Sequence, residues 1–149
     1  MKLRDPLPDL NGAARWLNSK SLTKNDLIGK YPVLIHFWSI SCDTCKQAMP
    51  IVNELRDTFQ GQLRVIAVHM PRSEADEDVY EVRRSAKKHH MTQPIAVDHA
   101  HTITNAFHNR YVPAYYLFDA NGKLRHRQTG SSGLQMLQKR IDRVIAETK

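Results

Sequence analysis

The sequence predicts an α/β protein built as a three-layer α/β/α sandwich around a mixed central sheet. Three observations carry this expectation. Two nearly continuous apolar runs, Val33 to Trp38 and Leu63 to His69, read as strands covered on both faces, because a strand wetted on one side would alternate apolar with polar residues. Between and after them lie stretches whose apolar residues recur at steps of three and four, the helical period. Late in the chain, Asn121-Gly122 marks a hairpin, which adds antiparallel strands to the parallel ones that helical crossovers connect. At 149 residues the chain suits a single domain spanning 1–149, large enough to bury a core without disulfide staples.

Residues 5–12, with Pro6, Pro8, Asn11 and Gly12, predict an extended lead-in and a turn, followed by a short strand at Ala14 to Leu17. Thr23 caps one short helical turn that Gly29 stops. From Cys42 to about Phe59, Ala48, Met49, Val52, Leu55 and Phe59 form the apolar face of a helix that Gly61 ends and that Pro50 should kink. After the second buried strand, Ala75 to His90 predicts a charged surface helix with a thin apolar stripe of Ala75, Val79, Val82 and Ala86. Pro94 to Asp98 is a third strand and Thr102 to Asn109 a short helix. Val112-Pro113 leads into a strand at Ala114 to Phe118, the hairpin returns along Lys123 to Gln128, and Leu134, Leu137, Ile141, Val144 and Ile145 mark a C-terminal helix.

The net charge of +7 is spread along the chain rather than gathered into one block, and no helix-turn-helix, zinc-finger or RNP-type motif accompanies it. A nucleic-acid partner is therefore not expected. The basic N-terminus is followed by no apolar h-region, and no run approaches the ~18 apolar residues of a membrane span. The expectation is a cytoplasmic protein without a membrane partner.

Both cysteines of the chain stand in one motif, Cys42-Asp43-Thr44-Cys45, between the first apolar run and a helix. In a reducing compartment such a pair serves catalysis or metal binding more often than structure. A zinc site needs four ligands and there is no second C-x-x-C, so no metal is expected. Of the eight histidines, His89 and His90 are adjacent on a predicted helix and point apart, and with His99 and His101 they read as solvated surface residues.

The strand Val33 to Trp38, a C-x-x-C opening a helix, a proline inside that helix, and Val112-Pro113 before a strand and hairpin together resemble the thioredoxin-like fold. The Asp9-Leu10-Asn11-Gly12 lead-in, as an N-terminal extension, and the extra helix and strand between Val68 and Pro113 look like the TlpA/ResA branch of thiol-disulfide oxidoreductases. Within it, His36 to Cys42, Val68 to Ser73 and Tyr111 to Tyr116 are similar to the soluble, cytosolic YkuV-type proteins, a resemblance that covers nearly the whole chain.

The resemblance implies a protein-disulfide oxidoreductase with no cofactor beyond a redox-active Cys42–Cys45 disulfide. Residues at i and i+3 on a helix have Cβ atoms roughly 5–6 Å apart, where a disulfide wants about 3.8 Å, and a tightened first turn closes the gap. Cys42 at the helix N-terminus meets unpaired N–H groups and the positive dipole end, which favour its thiolate and make it the nucleophile; Cys45 then resolves the mixed disulfide. Asp43 opposes the thiolate and Lys46 partly offsets it, so a reducing poise is expected. Thr44, His36 and Trp38 complete the supporting set. His36 stands where many thioredoxins place a buried acid, and reads either as a proton carrier for the resolving cysteine or as a core histidine satisfied by a backbone carbonyl. Trp38, on the same strand face, reads as packing beneath the site. Pro113 takes the place of the family's cis-proline, and Val112 that of a backbone pairing site for an extended substrate segment. The partners expected are disulfide-containing proteins and an electron-donating reductase, with the protein itself a monomer. The alternative is a redox-switched binding or chaperone-like module without turnover. A membrane-anchored cytochrome-maturation reductase would share the fold, and the missing anchor counts against it.

Overall fold

The computed structural model describes residues 1–148. Strand β1 (Arg15–Leu17) and helix α1 (Lys24–Leu27) precede β2 (Val33–Trp38), α2 (Asp43–Thr58) and β3 (Arg64–His69). A 3-10 turn (Glu74–Glu77), α3 (Val79–Lys88), β4 (Ile95–Val97) and α4 (Thr102–Ala106) follow, and β5 (Ala114–Phe118), β6 (Leu124–Thr129) and α5 (Leu134–Thr148) complete the order. One six-stranded sheet has the order β1-β4-β3-β2-β5-β6. The strands β2, β3 and β4 run parallel, while β1 on β4, β5 on β2 and β6 on β5 are antiparallel. The sheet is thus mixed, and β2 is its doubly paired centre with all six residues buried.

Alternation along the strands divides the core in two. Leu34, Trp38, Tyr115 and Leu117 face the layer of α2, α3 and α5, where they meet Met49, Val52, Val82, Leu137 and Ile141. Val33, Ile35, Phe37, Tyr116 and Phe118 face the other layer, formed by α1, α4 and the N-terminal lead-in, with Leu7, Leu10, Leu27, Ile103 and Phe107. Phe107 packs edge-on against Phe37, Tyr116 and Phe118 at centroid distances of 5.2, 5.1 and 6.0 Å. The lead-in is stitched to the β5–β6 turn: Arg4 and Leu7 N–H groups donate to the Leu124 and Gly122 carbonyls at 2.8 and 2.7 Å, and Leu124 N–H donates to the Asp5 carbonyl at 2.9 Å. Gly12 has φ +94°, and a Cβ there would stand 2.8 Å from Thr102 Cβ. Only glycine fits that turn.

Two elements differ in form from the sequence pattern. The helix expected from Ala75 to His90 is broken: Asp78 adopts extended backbone and its carboxylate accepts from the Tyr80 and Glu81 N–H groups at 2.9 and 3.4 Å, so it caps α3 instead of lying inside it. Ala75 is exposed, whereas Asp76 is buried. The hairpin turn is longer than a two-residue loop, because Asp119 accepts from both Asn121 and Lys123 N–H groups at 3.0 Å and closes a wider loop in which Gly122 has φ +77°. Helix α2 continues through Pro50, which is exposed, and Thr23 caps α1 with a reciprocal bond from Asp26.

Candidate active site

Cys42 is the N-cap of α2, and Cys42 and Cys45 are joined as a disulfide with Cα atoms 5.3 Å apart, within the range such bridges span. The Cys45 N–H donates to Cys42 Sγ at 3.1 Å and the Thr44 hydroxyl lies 3.4 Å from the same sulfur. Both groups can hold negative charge on Sγ once the bridge opens. Asp43, exposed, follows Cys42 in the first turn of α2. Both cysteines are buried, packed in the apolar cluster that also holds Trp38.

The segment from Ser39 to Ser41 is fixed from the end of β3. The buried Ser39 hydroxyl donates to the Met70 carbonyl, Met70 N–H donates to the Trp38 carbonyl at 2.8 Å, and Ile40 N–H donates to His69 Nε2 at 3.1 Å. That last bond requires an unprotonated Nε2, and burial pushes the His69 pKa down to about 4, with Asp76 pulling it back and His99 adding to the fall. Trp38 lies edge-on to His69 at 5.0 Å. Immediately before Cys42, the Ser41 hydroxyl donates to Asp76 at 2.7 Å and accepts from Arg72 Nε at 3.1 Å, and Arg72 Nη2 donates to the Ser41 carbonyl at 2.5 Å. Arg72 N–H also donates to Asp76 at 2.9 Å. His69, Arg72 and Asp76 thus belong to the site although the sequence pattern gives them no role. The signal available was their place in or just after the Val68 to Ser73 stretch, but the pairing with Ser41 spans thirty-five residues for Asp76 and no local periodicity reports it.

His36 faces the same layer as Trp38 and stacks on Tyr115, with centroids 6.3 Å apart. Its partner is a side-chain amide, not the backbone carbonyl expected of a satisfied core histidine. Arg56 Nη1 donates to Gln93 Oε1 at 2.8 Å, which turns the Gln93 Nε2 donor toward His36 Nε2 at 2.9 Å. An amide nitrogen only donates, so His36 Nε2 accepts and carries no proton. Burial, reinforced by the Arg56 charge, pushes its pKa down to about 3, and burial alone pushes the Tyr115 phenol up to about 12.

The Val112–Pro113 peptide bond is cis. Pro113 is buried and its carbonyl accepts from Gly130 N–H at 2.8 Å, while half-buried Val112 packs against the cluster containing the cysteines. Pairing of β5 with β2 begins at Ala114 opposite Phe37, so Val112 lies just past the ladder, at the sheet end that carries Cys42. Three of the four histidines read as solvated are half-buried: His89 Nδ1 lies 2.9 Å from the Ser85 carbonyl, His101 Nε2 2.8 Å from the Pro71 carbonyl, and His99 Nε2 is buried. His90 alone is exposed. Among the described residues no three His, Cys, Asp or Glu side chains are grouped to hold a metal ion, and no helix is long and apolar enough to cross a membrane.

A C-x-x-C disulfide at the cap of the helix that follows the central strand, on this sheet, defines a thiol-disulfide oxidoreductase of thioredoxin-like fold. The redoxin family pattern matches residues 2–145, and the chain belongs to that family. It is 58% identical over 149 residues, the whole of both chains, to thiol-disulfide oxidoreductase YkuV of Bacillus subtilis (strain 168). It is 27% identical to thiol-disulfide oxidoreductase ResA of Geobacillus thermodenitrificans (strain NG80-2) over 113 residues, 75% of this chain and 62% of that one. The solution structure of a thioredoxin-like protein in the oxidized form superposes with TM-score 0.91 over the whole of both chains at 58% identity.

Proposed function

We propose that this oxidoreductase works as a monomeric cytoplasmic reductase of protein disulfides, recharged by an electron-donating reductase. What supports this direction is the setting of Cys42 Sγ. One N–H and one hydroxyl reach it, while the next residue, Asp43, adds a negative charge to the same helix turn, which opposes a thiolate. A thiolate stabilised this modestly leaves the dithiol the better electron donor.

In the reducing turn, the Cys42 thiolate attacks one sulfur of the partner's disulfide. That S–S bond breaks, a Cys42–partner disulfide forms, and the departing partner thiolate takes up a proton. Cys45 then loses its proton and attacks Cys42 Sγ. The mixed disulfide breaks, the second partner sulfur leaves as a thiolate that takes up the proton Cys45 gave up, and Cys42–Cys45 is oxidised. Counted from the dithiol, two electrons and the two protons released by Cys42 and Cys45 have passed to the partner. The backbone of Val112 receives the partner's extended segment as a short added strand, which holds the disulfide over Cys42.

Insulin reduction by wild type and Cys42→Ser, together with the reduction potential, tests the reading. The expectation is cysteine-dependent turnover and a potential near the thioredoxin value of about −270 mV. A potential close to the oxidant value of about −120 mV would reverse the direction of electron flow. Absence of cysteine-dependent turnover with any reductant would favour the redox-switched binding module instead.

A further inference from the structure

Beside the Val112–Pro113 wall lies a pocket of about 430 Å³ that the exchange chemistry does not use. It is bounded by the loop from His108 to Tyr111 and by the end of β6. Register places it at the working end of the sheet: Phe37 near the end of β2 pairs with Ala114, and Ala114 pairs with Thr129, which lines the pocket. Its floor is held firmly. Asn109, itself buried, accepts from the Tyr116 hydroxyl at 2.9 Å and donates to the Tyr111 carbonyl at 2.9 Å, so the residue preceding Val112 is tied to the pocket floor.

The rim is cationic. Arg110 and Arg127 are both exposed, no acidic side chain lines the pocket, and among the described residues neither arginine enters an ion pair. Arg127 stands directly across from Tyr116 in the β5–β6 register. Tyr111, 67% exposed, adds an aromatic face at the mouth. A buried polar floor under two guanidinium groups that no carboxylate neutralises, Arg127 lying close enough to the Tyr116 hydroxyl to act on it, is suited to a carboxylate, which arginine binds in a two-pronged manner.

We propose that this pocket is a specificity site for acidic side chains of the partner segment that Val112 receives, so that the preferred substrates are protein disulfides flanked by Asp or Glu. This rests on the disulfide-exchange reading and names the substrate class for it. The two arginines act by attraction at a solvated rim and touch none of the reacting sulfurs. They raise the rate of productive encounter and leave the sulfur chemistry unchanged.

The test uses fully reduced protein in single turnovers, so that no electron donor is needed. Two peptides carry the same disulfide, one flanked by glutamates and one by glutamines, and hydroxyethyl disulfide serves as a neutral small substrate. For two exposed charge pairs the wild type is expected to react about three- to tenfold faster with the glutamate peptide at low salt. The advantage should vanish at about 0.5 M salt, where screening is short-ranged, and in the Arg110→Gln/Arg127→Gln variant. That variant should keep the wild-type rate on hydroxyethyl disulfide and the wild-type circular dichroism spectrum, the latter showing that it is folded. Equal peptide rates in the wild type, or a glutamate advantage that survives in the double variant, would overturn the pocket assignment alone. Failure of reduced wild type to react with any of the three disulfides would overturn the exchange reading beneath it.

Discussion

His36 and His69 are two imidazoles buried without charge, and each accepts a hydrogen bond at Nε2 that protonation would abolish. Their pKa values, about 3 and about 4, lie below the 6.5 of a histidine in an unfolded chain. Between those limits the unfolded chain binds the protons and the folded one does not. Stability is therefore full above pH 6.5 and falls as pH drops toward 4, by about 1.4 kcal/mol per pH unit for each histidine. Denaturant titrations of the oxidised protein from pH 7 to 4.5 should show that fall, and His36→Asn should remove about half of the slope that the pair contributes. An unchanged slope in the variant would mean that His36 is protonated in the fold. At the reacting pair, Cys45→Ser should arrest exchange at the mixed disulfide, giving a covalent adduct visible by non-reducing electrophoresis with a disulfide-bearing protein, which Cys42→Ser should not form.

The short elements depend on capping carboxylates more than on length. Helix α4 has five residues, and buried Asp98 accepts from the Ile103 and Thr104 N–H groups at 3.0 and 2.7 Å and from the Thr104 hydroxyl at 2.7 Å. Asp98→Ala would leave those donors unsatisfied in the core, an expected loss of about 2–3 kcal/mol by chemical denaturation, with Asp98→Asn losing less. The same residues show what the sequence could disclose. The paired central strands, α2 with Cys42 at its start, and the C-terminal helix were legible because their apolar periodicity is local. The break before α3 was not: Asp76 is buried only because Ser41 and the Arg72 backbone satisfy it, and a polar residue that pairs across the chain looks in sequence like any solvated acid. For the same reason His36 could be singled out by position, while its Gln93–Arg56 support, fifty-seven and twenty residues away along the chain, could not.

Across the whole molecule, the N-terminal lead-in is part of the core despite its lack of regular structure. Leu7 is fully buried against the layer containing Phe107, while its backbone bonds to the β5–β6 turn. Leu7→Ala should cost about 2–5 kcal/mol and lower the single melting transition as a whole rather than loosen one end. A separate early transition by near-ultraviolet circular dichroism would show that the lead-in is an independent flap. The strand order has a further consequence. The two outer strands of the sheet are β1, only three residues long, and β6, which carries Arg125 and Arg127 and has an irregular register at Leu117/Phe118 on its inner partner. Short, charged and irregular borders are poor templates for another chain to lengthen the sheet sideways. On the proposed reading, in which Val112 pairs with an extended partner segment, that pairing takes place at the end of the strands and not along either border, so receiving such segments would not polymerise the sheet with them.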